Sequence, residues 1–159
     1  MAATLLSTTK TYNILLADDD KDDCLFFSDV LSDLPAETTL TIVKDGEQLM
    51  SQLANNIENL PEVLFLDLNM PRKNGYECLI EIKSHSLFKK IPVVVFSTSY
   101  DEEKANQLYE DGAHYYICKP TNFRDLQSAI QSALQLIQKS DARPNKQDFL
   151  ITKLKSLLR

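Results

Sequence analysis

The chain has 159 residues, of which 17 are basic and 23 acidic, for a net charge of −6. That length suits one domain with a real core, and the acidic balance argues against nucleic acid, whose phosphates select basic surfaces. No apolar run approaches a membrane span, Met1 to Tyr12 lacks signal-peptide features, and Cys24, Cys78 and Cys118 are too widely spaced for a paired zinc or redox motif, so a cytoplasmic protein with no membrane contact is expected.

Residues 1–10 read as an N-terminal tail. A first strand is expected over about Asn13 to Ala17, then a helix in which Cys24, Phe27, Leu31 and Leu34 recur at spacings of three and four before Pro35 stops it. Leu40 to Val43 reads as a short strand, Lys44-Asp45-Gly46 as a turn, and Leu49, Leu53 and Ile57 as one face of a helix. Pro61 precedes a third strand at Val63 to Leu66, and Tyr76, Leu79, Ile80 and Lys83 mark the helix after Gly75. The run from Ile91 to Phe96 is a fourth, β-branched strand, and Ala105, Leu108 and Tyr109 mark the helix with the thinnest apolar face. Gly112 ends that helix. Tyr115 to Cys118 is the last strand, and Phe123, Leu126, Ile130, Ala133 and Ile137 form a strongly periodic last helix that closes a domain of residues 11–140. Five alternations of strand and helix favour a doubly wound parallel sheet covered on both faces.

Residues 141–159 form an appendix in which Pro144 breaks the chain and Phe149, Leu150, Ile151, Leu154, Leu157 and Leu158 follow at helix-like spacing. An extra amphipathic C-terminal helix is expected. Its five basic and two acidic residues give +3 against an acidic body. Such a helix packs on its own domain, on a second copy to make a homodimer, on another protein or on a membrane surface.

The chemistry gathers at strand ends. Asp18, Asp19 and Asp20 follow the first strand, Asp67 closes the third, Ser97 the fourth, and Lys119-Pro120 the fifth. Right-handed strand-helix units bring these ends to one edge of the sheet, beside the point where strand order reverses. Neighbouring carboxylates repel unless a cation offsets them. Mg²⁺ suits such hard oxygen ligands and lets an anionic phosphoryl donor approach. A carboxylate then serves as nucleophile toward phosphorus, with a hydroxyl and an ammonium meeting the phosphoryl oxygens.

Four pieces in order, Leu15-Leu16-Ala17-Asp18-Asp19-Asp20, Leu66-Asp67-Leu68-Asn69-Met70-Pro71 with Gly75, Pro92 to Ser97, and Tyr116-Ile117-Cys118-Lys119-Pro120, carry a resemblance over about Thr11 to Lys139. The chain resembles the receiver domains of two-component response regulators, in particular stand-alone receivers of the chemotaxis-regulator and phytochrome-associated kinds. The resemblance implies a flavodoxin-like (βα)5 fold with strand order 2-1-3-4-5. It makes Asp67 the phosphoacceptor, Asp19 and Asp67 direct Mg²⁺ ligands, Asp18 the holder of a metal-bound water, and Asn69 a ligand through its backbone carbonyl. Ser97 becomes the switch hydroxyl, Lys119 the phosphate-binding ammonium, Tyr116 the rotamer switch, and Lys119-Pro120 a cis peptide. The partners implied are a histidine kinase or histidine phosphotransfer protein and a downstream protein. Thr98, where alanine is frequent, and the neighbouring Tyr115 and Tyr116 are mild departures.

Each piece has a plainer reading. Asp18 to Asp20 suit a helix cap, Asp20 best of all, and Ser97 and Lys119 taken singly suit a surface. Arg72 and Lys73 read as a solvated loop end, with an acidic partner in this loop as the alternative. A phosphohydrolase of the haloacid-dehalogenase type also uses an aspartyl nucleophile, but it needs an acid two residues later, where this chain has Asn69. A scaffold receiver that works without phosphorylation is disfavoured by the complete pocket.

Overall fold

Five apolar runs become five parallel strands in the computed structural model, which describes residues 11–140 and 142–151. They are β1 (Thr11–Ala17), β2 (Glu37–Val43), β3 (Val63–Leu66), β4 (Val93–Ser97) and β5 (Tyr115–Cys118), in the order β2-β1-β3-β4-β5. All four pairings are parallel. This is the expected order 2-1-3-4-5, and it reverses at β1, whose neighbours are β2 and β3. The crevice above that reversal is where such sheets bind ligands.

Between the strands run α1 (Lys21–Asp33), α2 (Gly46–Ala54), α3 (Gly75–Ser84) and α4 (Glu102–Glu110), and α5 (Phe123–Lys139) follows β5. Each starts on a side chain that accepts an otherwise orphaned N–H: Asp20, Asp45, Asn74, Asp101 and Asn122. Such a cap stabilises a helix by about 1 kcal/mol. Asn74 and Glu77 close a reciprocal capping box at α3.

The two-residue period of the strands divides the core into two layers. Leu15, Leu64, Leu66, Val93 and Val95 face α2, α3 and α4 through Leu49, Leu79 and Leu108. Ile14, Leu16, Phe65 and Val94 face α1 and α5 through Phe27, Val30, Leu126 and Ile130. All four residues of β3 are buried, which explains why that strand is apolar throughout rather than alternating. Among the described residues no helix is long and apolar enough to cross a membrane.

Helix α2 ends at Ala54 and leaves Ile57 exposed in a separate 3₁₀ turn (Ile57–Asn59) rather than on the face of Leu49 and Leu53, and three larger expectations change. Strand β2 begins at Glu37, not Leu40, because Thr38 and Thr39 pair with Tyr12 and Asn13; an edge strand with one neighbour tolerates polar residues that an apolar-run reading passes over. The Lys119–Pro120 peptide is trans, as are all peptides among the described residues. Trans is the default for X–Pro by about 0.5–1 kcal/mol, and in that arrangement the Lys119 N–H donates to Ser97 O at 2.8 Å.

The third change concerns the appendix. Over its described residues it is a strap rather than a helix: a 3₁₀ turn at Lys146–Asp148 leads into a parallel bridge between Leu150 and Tyr116. Tyr116 N–H donates to Phe149 O and Ile151 N–H to Tyr116 O, both at 2.9 Å. Phe149 is buried with the α2–α4 layer and Ile151 with the α1/α5 layer, so the free edge of β5 is covered within one chain. A short apolar run fits either period, and here the unpaired N–H and C=O of β5 decide between them. Leu154, Leu157 and Leu158 lie outside the described residues.

Candidate active site

Strand β1 delivers Asp18 and Asp19 to the top of the sheet. The Asp18 N–H donates to Val43 O at 3.0 Å, and Asp18 Oδ1 accepts from the Asp20 N–H at 3.0 Å, so the carboxylate is fixed before α1 begins. Asp18 is fully buried, whereas Asp19 is exposed. Asp67 continues β3, with its N–H on Ala17 O at 2.9 Å, and is buried. One oxygen from each of Asp18, Asp19 and Asp67 lies within 4.8 Å of the others. Three hard oxygen donors that close, one of them open to solvent, fit a divalent cation.

The loop after Asp67 is wedged in place. Gly75 N–H donates to Leu68 O at 3.0 Å, and a β-carbon on Gly75 would fall 2.3 Å from Asp67 O. One on Gly46 would fall 2.1 Å from Lys73 O. Both glycines therefore let the starts of α3 and α2 close on the loop from two sides. Between them Arg72 takes a left-handed backbone (φ 69°) and its Nε lies 3.4 Å from the cap Asp45, the acidic partner that the sequence offered as the alternative to a solvated end.

Lys119, at the end of β5, supplies the ammonium. Its Nζ lies 2.7 Å from Asp18, 2.8 Å from Asp23 and 3.8 Å from Asp67, and 5.3 Å from the centre of the Phe96 ring. Burial works to lower this ammonium, but the close contacts with Asp18 and Asp23 and the charges of Asp18 and Asp67 outweigh it, so it is held above its ordinary value and stays charged. Burial raises Asp18, with Lys119 opposing. Burial also pushes Asp67 up to about 6; the charge of Lys119 opposes this and that of Asp18 adds to it. At neutral pH Asp67 is still mostly a carboxylate, with fewer stabilising partners than Asp18, which suits a nucleophile.

Ser97 ends β4 fully buried, and its Oγ accepts from the Ser99 N–H at 3.5 Å. Tyr116 is buried, its hydroxyl donates to Ser99 O, and its ring meets Tyr100 edge-on at 5.4 Å and Phe149 at 6.2 Å. A cleft of about 240 Å³ is lined by Asn69, Tyr76, Ser99, Lys104 and Tyr116, among others. The Asn69 N–H lies 3.5 Å from Asp67 Oδ1.

Asp18, Asp19, Asp67 and Lys119 thus meet at one edge, Ser97 joins them through its carbonyl on the Lys119 N–H, and Tyr116 turns to Ser99; sequence reasoning missed Asp23, Ser99 and Tyr100. Asp23 is 96 residues from Lys119, and no periodicity signals a contact of that range.

Similarity to known proteins bears on this arrangement. A model of the response regulator receiver domain matches residues 14–131. The response regulator Rcp1 of Synechocystis is 38% identical over 122 residues, covering 74% of this chain and 83% of that protein. The crystal structure of Mn²⁺-bound Rcp1 superposes with a TM-score of 0.72 at 34% identity, covering 84% of this chain and 99% of the other. The phosphorylated cyanobacterial phytochrome response regulator RcpA superposes with a TM-score of 0.74 at 31% identity, covering 86% and 100%.

Proposed function

The chain belongs to the response regulator receiver family, and from that premise we propose that Asp67 is the residue through which this phosphorylation-controlled signalling switch is set. The observation that carries the reading is the placement of Asp67: buried at the end of β3, raised to about 6, 3.8 Å from the Lys119 ammonium and clustered with Asp18 and Asp19. A carboxylate oxygen of Asp67 attacks the phosphorus of a phosphohistidine on a kinase or phosphotransfer protein. The P–N bond breaks, the imidazole leaves, and an aspartyl phosphate remains. Beyond making and losing that bond the chain turns over no substrate.

The acidic cluster suits a divalent cation, as bound by Rcp1, and Mg²⁺ is our assignment. Asp18, Asp19 and Asp67 would hold it, with the Asn69 carbonyl as a further ligand and Asp18 acting through water. Bound there, it offsets the anionic charge that a phosphoryl group brings. Lys119 takes one phosphoryl oxygen and the Ser97 hydroxyl another. As Ser97 turns toward the phosphoryl group, Tyr116 exchanges its bond to Ser99 O for an inward position, and the surface of α4, β5 and α5 changes with it. A downstream protein reads that surface, in the cytoplasm with the kinase. Phe149 and Ile151 are covered within one chain, so a homodimer would have to use other parts of this face.

Calorimetric titration with Mg²⁺ and then beryllofluoride tests the site. Wild type binds both, Asp19→Ala loses most of its Mg²⁺ affinity, and Asp67→Ala loses beryllofluoride. Full beryllofluoride binding by Asp67→Ala contradicts the reading.

A further inference from the structure

An ammonium has three N–H donors, and in this structure Lys119 is engaged by two carboxylates before any phosphoryl group arrives. It donates to Asp23 at 2.8 Å and is ion-paired with Asp18 at 2.7 Å, while Asp67 at 3.8 Å is beyond hydrogen-bonding distance. Asp18 belongs to the carboxylate cluster that suits a cation; Asp23 lies outside it. Asp23 stands in the first turn of α1, where its N–H donates to the cap Asp20 at 2.9 Å, and its side chain is 34% exposed while that of Lys119 is 8% exposed. A first-turn carboxylate favours the helix dipole whatever it touches, and Asp22 beside it serves that role equally. The bond to Lys119 is therefore an additional feature, formed across 96 residues of chain.

Acceptance of a phosphoryl group requires Lys119 to turn toward new oxygens on Asp67. A cation drawn to Asp18 helps release one partner, but nothing in the cluster releases Asp23. We propose that Asp23 is a positioning residue that holds the Lys119 ammonium away from Asp67 in the resting state and so sets how readily the site accepts and keeps a phosphoryl group. The proposal rests on Asp67 being the acceptor.

Beryllofluoride affinity of the full chain, measured by calorimetry at saturating Mg²⁺, tests it. Asp23→Asn and Asp23→Ala should bind about three- to ten-fold more tightly than wild type, the range expected for loss of one partly screened competing ion pair. Asp23→Glu, which restores the carboxylate, should return toward wild type. Asp22→Asn removes the same charge from the same helix turn without touching Lys119, and should stay within about two-fold of wild type. The labelling rate with acetyl phosphate should rise in Asp23→Asn and not in Asp22→Asn. Unchanged or weaker binding in both Asp23→Asn and Asp23→Ala, with lower stability in urea, overturns the proposal and leaves a dipole role only. Equal tightening in Asp22→Asn overturns it in favour of general charge repulsion. Loss of binding in Asp67→Ala alongside flat Asp23 variants separates this failure from a failure of the acceptor assignment, which would appear as full binding by Asp67→Ala.

Discussion

At the scale of single residues, Asp67 is held where its charge is useful and costly. Burial raises it to about 6 from an ordinary 3.8, so the fold favours the protonated carboxyl. The sign follows directly: this group's contribution to stability is fully present below about pH 4 and is lost as pH rises through about 6. A rise from 3.8 to about 6 corresponds to about 3 kcal/mol. Asp67→Asn carries no charge at any pH. Without divalent cations it should be more stable than wild type at pH 7.5 by up to about 3 kcal/mol in urea denaturation, with the gap closing toward pH 4. A less stable variant at pH 7.5 would contradict the account. Gly75 is constrained for a different reason, since an added β-carbon would lie 2.3 Å from Asp67 O. Gly75→Ala should cost about 1–3 kcal/mol and weaken beryllofluoride binding, because the strand end and the helix start must part; unaltered binding would show that the loop adapts.

At the scale of elements, the strap and α4 belong together. Only Ala105 and Leu108 of α4 are buried, a thin apolar stripe for a helix that covers the edge of the sheet. The strap adds to it: Tyr109 OH donates to Pro144 O at 2.7 Å, Arg143 bonds the carbonyls of Tyr109 and Ala113 and lies 4.2 Å from the Tyr109 ring centre, and Phe149 meets Tyr109 edge-on at 5.4 Å. Both main-chain groups of Tyr116 pair with the strap. Phe149→Ala should therefore cost about 3 kcal/mol and raise amide exchange in α4 and β5 while α1 and α2 keep theirs. Uniform loss of protection would mean that the strap is not a local element. Truncation after Ser140 should leave labelling of Asp67 by acetyl phosphate intact, because no described strap residue reaches the carboxylate cluster.

At the scale of the whole molecule, what could be read from sequence is what one element determines alone. The buried strand β3 shows as Val63 to Leu66 because both its faces are covered, and the site shows because Asp18, Asp19, Asp67, Ser97 and Lys119 stand at strand ends that right-handed crossovers must bring together. What two distant elements determine jointly could not be read. The polar start of β2 depends on β1 beside it, and the strap on the free edge of β5. The bond from Asp23 to Lys119 depends on α1 meeting the end of β5. The Lys119–Pro120 geometry came from resemblance, not from a force in the sequence, and the structure has it trans. The central claim is that one carboxylate in this molecule carries the signal, and mass-spectrometric mapping after acetyl phosphate and Mg²⁺ tests it most directly. The account predicts a single acid-labile phosphoryl group on the peptide holding Asp67, absent without divalent cation and absent in Asp67→Asn; a phosphoryl group mapped to any other residue of the wild type, or retained in Asp67→Asn, would contradict it.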